Sequence, residues 1–305
     1  MQPSNAVRLL SAFCLAMAWP LAAQPQPVTT FAPVVKGMVL ADVECTEFHS
    51  RFTGQDYHVY VSLPAGYRQG DQRYPVLYVP DLDEAFLLAR GVTFFMNLRR
   101  RTGADLLEDF ILVGVPLKSD GLVDWSRKRA FDLTPTGISA LNAAYSRLLG
   151  GEVRTGGAPL FLRALKEELI PFIESKYRVT PDRGLAGHSF GGLFAAYVWL
   201  NDGAAFSRYL VSSPTLSWDN SMLLKAEAAV AQSGQSLHGR VFLSIGGDEA
   251  DEIGVFKGMV AAIARHAYPN LQFESRIFEG ENHLSVIPAA ISQGLNFLYA
   301  RSRPQ

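Results

Sequence analysis

Five consecutive residues, Gly187-His188-Ser189-Phe190-Gly191, extended by Gly192, carry the strongest chemical signal in the chain. The spacing G-x-S-x-G puts a serine on a strained turn between a strand and a helix, where its flanking positions must lack a Cβ to avoid a clash. The context fits the letters: a short apolar strand, Gly184 to Gly187, precedes the turn, and an apolar helix, Leu193 to Leu200, follows it. A hydroxyl held this way becomes a nucleophile for acyl transfer once a base takes its proton. The helix behind it aims its N-terminus at the oxyanion that forms.

The base must come from six histidines. In the chain order nucleophile, acid, histidine, only His238, His266 and His283 lie far enough downstream. His238 sits in a Ser-Gly-Gln-Ser loop, and His266 ends a predicted helix, where a cation suits the dipole. His283 follows the strand Phe273 to Phe278 through Glu279-Gly280-Glu281-Asn282 and precedes the last helix, and it is assigned as the base. The acid, which accepts the imidazole N–H and fixes its tautomer, belongs in Gly246-Gly247-Asp248-Glu249-Ala250-Asp251-Glu252. That loop leaves Glu249, Asp248 and Asp251 as candidates, with a Ser–His dyad as the remaining option. The oxyanion hole requires the backbone N–H of Phe190 and a second N–H after the strand Val76 to Val79, which points to Leu82 or Asp83. His188 is adjacent to the nucleophile but turned away from its hydroxyl by the elbow.

These residues need a scaffold that converges on one end of a sheet. Short continuous apolar runs at 76–79, 111–115, 185–187, 209–212 and 241–245 alternate with helical stretches, the pattern of parallel strands buried on both faces. The segment from Gly37 to Leu63 reads instead as antiparallel strands, ending at Pro64-Ala65-Gly66. Helices are predicted over 160–177, with a kink at Pro171, and over 221–232, 255–266 and 286–299. The fold class is therefore α/β: an α/β-hydrolase arrangement with a mostly parallel central sheet, flanking helices and antiparallel N-terminal strands. Residues 118–158 contain no clean strand and are read as an irregular insertion forming a lid or substrate wall. The insertion carries Trp125 and Arg129, which, with Trp218 and His188, are the candidate substrate-binding residues.

Composition sets the outer bounds. The formal net charge of −1 at pH 7 leaves no electrostatic footprint for nucleic acid or an anionic membrane, so a small-molecule partner is expected. Arg8, the apolar run Leu9 to Leu21 and the small pair Ala22-Ala23 have the layout of a secretory signal peptide over 1–23, followed by a linker over 24–36 and a catalytic domain over 37–305. Export to the periplasm or beyond follows, with no stable membrane insertion after cleavage; an uncleaved anchor is the alternative. Of the two cysteines, Cys14 lies inside that run, leaving Cys45 as a half-buried strand residue with no intramolecular disulfide partner. Two cysteines exclude a cysteine-rich zinc site, and the Ser–His chemistry implies no metal or organic cofactor. Oligomeric state is left open.

At its chemical residues the chain resembles the esterase D family of α/β-hydrolases, which includes siderophore esterases, S-formylglutathione hydrolases, feruloyl esterases and mycolyltransferases. The similarity runs from about His58 to the last helix. It rests on Tyr74-Pro75-Val76-Leu77-Tyr78-Val79-Pro80-Asp81, Phe131-Asp132-Leu133-Thr134-Pro135 with Arg129 ahead of it, the serine elbow, Ser213-Pro214-Thr215-Leu216-Ser217-Trp218-Asp219, and Glu281-Asn282-His283-Leu284-Ser285-Val286. The Asp-Leu-Thr-Pro element and Gly246-Gly247-Asp248-Glu249 resemble the siderophore-esterase-like branch, which puts Glu249 first among the acids. Leu82, Phe131, Ser217 and Leu284 stand where that branch favours glycine, arginine, tryptophan and glycine. The resemblance implies a serine ester hydrolase working through an acyl-enzyme on siderophore-type or aryl esters. An acyltransferase on the same site and an inactive extracellular binding module are the alternatives.

Overall fold

The computed structural model describes residues 40, 42–81, 83–98 and 107–301. The expected signal peptide and linker, and Leu82, lie outside the described residues.

Two hydrophobic patterns build one sheet. In β2 (Asp56–Ser62), Tyr57, Val59 and Val61 alternate inward, as in a strand with one buried face, and β1 (Val43–His49) pairs with it at the sheet edge. By contrast, β4 (Ile111–Pro116) is buried at every position, and β3 (Tyr74–Asp81) is buried at all but Pro75. The remaining strands are β5 (Val179–His188), β6 (Arg208–Ser212), β7 (His238–Gly246) and β8 (Asn270–Phe278). Their order is β1-β2-β4-β3-β5-β6-β7-β8. β1, β2 and β4 are joined antiparallel, and every other pair is parallel. The strands from β3 onward therefore end together, and their C-terminal tips form one edge where side chains from distant segments can meet.

Helices cover both faces. α1 (Asp83–Met96) and α9 (Ile287–Tyr299) pack on one face against Leu77, Val79, Leu112, Leu210 and Phe242. The opposite face holds the larger core, built on Val76, Tyr78, Val113, Leu185, Val211 and Leu243. It is covered by α4 (Ala158–Ala164), α5 (Ile170–Lys176), α6 (Phe190–Asn201), α7 (Trp218–Gln232) and α8 (Ala250–His266).

Three local expectations are revised. Residues 118–158 are largely helical, with α2 (Leu122–Asp132) and α3 (Ser139–Leu149) occupying most of the segment read as irregular. Weak apolar periodicity hid both helices: no residue of α3 is buried, and only Ala130 and Asp132 of α2 are. Pro171 lies in the first turn of α5, where its missing N–H is tolerated, and a π-helical turn at Leu165–Leu169 separates α4 from α5. Cys45 is exposed, because it shares the solvent-facing side of β1 with Glu47 and His49.

α2 is anchored through a buried carboxylate. Asp132 accepts hydrogen bonds from the Tyr57 hydroxyl at 2.7 Å and from Gln55 Nε2 at 2.5 Å. Burial pushes its carboxyl up to about 7, although both hydrogen bonds pull the other way. The unfolded chain releases this proton near the ordinary aspartate value of about 3.9. The folded protein thus holds an extra proton between about pH 4 and 7, and stability falls as pH rises through that window. Urea unfolding at pH 5 and pH 8 checks this. The wild type is expected to lose stability on going to pH 8, at up to about 1.4 kcal/mol per unit until pH 7. In Asp132→Asn this component of the slope is expected to vanish.

Candidate active site

The elbow follows from crowding at the tip of β5. Ser189 adopts φ 60° and ψ −121°, a conformation that a non-glycine residue holds only under constraint. A Cβ on Gly187 would lie 2.1 Å from Gly191 O, and one on Gly192 would lie 2.6 Å from Ser212 O, so both positions exclude a side chain. The turn is closed by Ser189 N donating to Ser212 O at 3.0 Å and Leu193 N donating to Ser189 O at 2.8 Å. α6 starts at Phe190, so its first backbone N–H groups begin beside the serine, where the dipole favours developing negative charge. On the β3 side, Asp83 is the first residue of α1.

His283 comes from the loop between β8 and α9. Asn282 Oδ1 accepts the N–H groups of Leu284 and Ser285 at 2.9 and 3.0 Å, and Asn282 N donates to Ser285 Oγ at 3.0 Å. This local turn fixes the backbone around the imidazole. The acid loop is tied to it: Gly247 N donates to Phe278 O at 2.8 Å and Asp248 N to Glu281 O at 3.0 Å. Glu249 Oε2 then lies 2.6 Å from His283 Nδ1. Its other oxygen, Oε1, accepts from Ser213 Oγ at 2.6 Å and from Gly246 N at 2.8 Å. Burial by itself would raise this carboxyl, whose side chain is 7% exposed, but the hydrogen bonds from Ser213, His283 and Gly246 outweigh it. Glu249 is held below the usual carboxylate range and stays ionised. Asp248 and Asp251 are exposed. Of the other downstream histidines, His266 Nδ1 pairs with Glu227 Oε1 at 2.6 Å, and His238 is exposed at the start of β7.

His188 lies under His283, with the two rings 4.6 Å apart at 43°. Its Nδ1 is 3.0 Å from Ser212 Oγ. Burial, with some repulsion from His283, pushes it down to about 3, so it is neutral at working pH. The base therefore rests on an uncharged ring.

Arg129 reaches from α2 to the oxyanion side. Its Nε and Nη2 donate to Asp81 Oδ1 and Oδ2 at 2.6 and 2.7 Å, the fork geometry of a bidentate pair. The guanidinium also lies 5.1 Å from the ring centroids of both Trp125 and Phe190. Asp81 has φ 103° at the end of β3 and is nearly fully buried. Arg129 is thus engaged with the strand exit that leads into the oxyanion loop. Trp218 is buried, donates Nε1 to Thr136 Oγ1 at 3.1 Å, and meets the Phe190 ring edge-on at 5.5 Å. It stands behind the elbow as a wall. Sequence reasoning missed the contributions of Ser213 and Asp81. Both were inside recognised motifs, but nothing in their spacing named Glu249 or Arg129 as partners.

Comparison with known proteins gives this geometry a family. A family model described as "Putative esterase" matches residues 50–284. The chain belongs to this esterase family. Among curated members it is similar to the ferri-bacillibactin esterase BesA of Bacillus subtilis, 28% identical over 259 residues, covering 81% of this chain and 86% of the relative. The siderophore enterobactin esterase of Emericella nidulans is 30% identical over 278 residues, covering 79% and 89%. Among solved structures, the BES protein from Bacillus cereus superposes with a TM-score of 0.74 at 26% identity, covering 89% of this chain and all of that one.

The Arg129–Asp81 pair yields a stability test. Removing one partner of a buried ion pair leaves an uncompensated charge, at a cost of about 3–5 kcal/mol. Arg129→Ala is expected to lose about that much in urea unfolding, and the double variant Arg129→Met, Asp81→Asn to recover a large part of it.

Proposed function

We propose that this esterase hydrolyses carboxylic esters through an acyl-enzyme on Ser189, with His283 as base and Glu249 as the acid that orients it. The observation that carries this reading is the 2.6 Å contact between Glu249 and His283, in a loop hydrogen-bonded to the β6 tip that also clamps the elbow. Ser189 Oγ attacks the ester carbonyl carbon while its proton passes to His283. The oxyanion is received by the Phe190 N–H and a second N–H at Leu82 or Asp83. The C–O bond to the leaving group then breaks, and His283 returns the proton to the departing alkoxide. Water, deprotonated by His283, attacks the acyl-enzyme and frees the acid and Ser189. Glu249 stays anionic throughout, accepting the Nδ1–H and stabilising the imidazolium.

The substrate class proposed is a siderophore-type ester or an aryl ester, supported by the names of the relatives. Trp125, held beside the elbow by Arg129, forms part of the wall against which such a substrate rests. The N-terminal apolar run supports export as a further proposal. Among the described residues, no helix is long and apolar enough to cross a membrane.

Labelling with a fluorophosphonate tests the site directly. Wild type is expected to gain the probe mass, and Ser189→Ala and His283→Ala to gain none. With 4-nitrophenyl acetate, Glu249→Gln is expected to lower kcat by about 10³–10⁴-fold through loss of the correct tautomer. Folded wild type that stays unlabelled and turns over no ester would overturn the assignment.

A further inference from the structure

On the sheet face opposite α6 there is a cavity of about 240 Å³ between α1 and α9. One end reaches the strand tips, where Asp81, His188 and Ser212 line it, together with Leu284, the residue after His283. From there it descends along the sheet over Val79, Leu77 and Leu210. Its side walls are Ala85, Leu88 and Ala89 of α1 and Ile287, Ile291 and Leu295 of α9. The deep part is lined by branched and small aliphatic side chains. The polar groups are gathered at the end nearest the nucleophile.

At that polar end Asp81 is neutralised by the bidentate contact with Arg129, and His188 is neutral. Glu84, in the first turn of α1, adds a carboxylate to the lining there. A free carboxylate would be repelled, whereas an uncharged ester group on an alkyl chain would meet no repulsion. Leu284, which stands where the siderophore-esterase-like branch favours glycine, is 71% exposed and adds apolar surface to the rim. We propose that this cavity is an acyl-chain pocket, taking an unbranched aliphatic acyl group of medium length from the ester that Ser189 attacks.

The inference rests on the esterase reading and specifies the acyl half of the substrate; any aromatic ring then belongs to the leaving group. Size sets the length. An apolar cavity of about 150 Å³ takes a benzene ring, so this one holds a chain of about eight to ten carbons by the same proportion. Every buried methylene adds favourable transfer free energy until the cavity is full. Selectivity should therefore climb with chain length and then stop.

The test uses the full chain with 4-nitrophenyl acetate, butyrate, octanoate and laurate, and in parallel measures binding of the uncharged eight-carbon probe 1-octanol to Ser189→Ala by calorimetry. From acetate to octanoate, kcat/KM is expected to rise at least tenfold, with no further gain at laurate. Ala85→Phe and, separately, Ile291→Phe place a ring in the cavity and are expected to cut the octanoate-to-acetate ratio about tenfold; either variant suffices if the other fails to fold. Acetate turnover with a flat chain-length profile and no 1-octanol binding overturns the pocket and leaves the esterase reading standing. 1-Octanol binding that is lost when Ala85→Phe is added to Ser189→Ala supports the pocket, even if no ester is turned over and the esterase reading falls.

Discussion

Much of this structure depends on one backbone conformation, the left-handed φ of Ser189. Such a conformation costs of order 1–3 kcal/mol and survives only where its surroundings leave no alternative. Here they leave none. β5 is paired on both sides by parallel strands, and α6 is buried along nearly its whole length. Gly187 and Gly192 let the chain fold back to within contact of Gly191 O and Ser212 O, so the turn is clamped from both flanks. The strain at the elbow is held by the larger core of the described residues, and the half-buried serine keeps its conformation because the strand beneath it has no room to relax.

The same clamp extends across the sheet. The β6 tip that accepts the Ser189 N–H at Ser212 continues into Ser213, whose hydroxyl binds Glu249, which in turn binds His283. Ser189, Glu249 and His283 are therefore joined by one hydrogen-bonded run along neighbouring strand ends. Glu249 makes three short contacts with its two oxygens, so loss of any one leaves the others to hold the carboxylate in register. On the other flank, Arg129 ties the β3 exit to α2 through Asp81 while its flat faces lie near Trp125 and Phe190. A helix with little hydrophobic face of its own is thus fastened by two buried aspartates, Asp81 through Arg129 and Asp132 through Tyr57 and Gln55.

What the sequence made legible follows the range of the interactions involved. The elbow is local: glycine spacing, strand and helix lie within a few residues, and all three were readable. The parallel strands were readable because burial on both faces writes a continuous apolar run. His283 emerged from chain order and its place before the last helix. The acid loop was readable from its position, but Glu249 led its candidates only through the family resemblance, because choosing among Glu249, Asp248 and Asp251 on physical grounds depends on which side chain turns toward β6 and which stay in solvent. α2 and α3 were illegible for a related reason: they are tied to the rest of the fold by polar contacts between distant residues, such as Asp132 with Tyr57 and Asn142 with Thr155, more than by a fully buried apolar stripe. Arg129 read as a candidate substrate-binding residue with no partner in view, because Asp81 lies 48 residues away and meets it only in the folded sheet.

The two faces of the sheet divide the work. The α6 face carries the strained turn and the helix N-terminus, and rigidity there serves catalysis, because the oxyanion donors must not move as charge develops. The α1–α9 face meets the site at the strand tips, where Gly187, His188 and Ser212 border both the elbow and the cavity, while the side walls of the cavity come from α1 and α9. His188 stands at the boundary: its backbone ends β5, and its ring both supports His283 and lines the cavity. A change in cavity shape can thus alter which acyl group fits without disturbing the Glu249–His283–Ser189 arrangement. Leu284, exposed at the rim beside His283, thus belongs to the cavity wall and not to the clamp on Ser189.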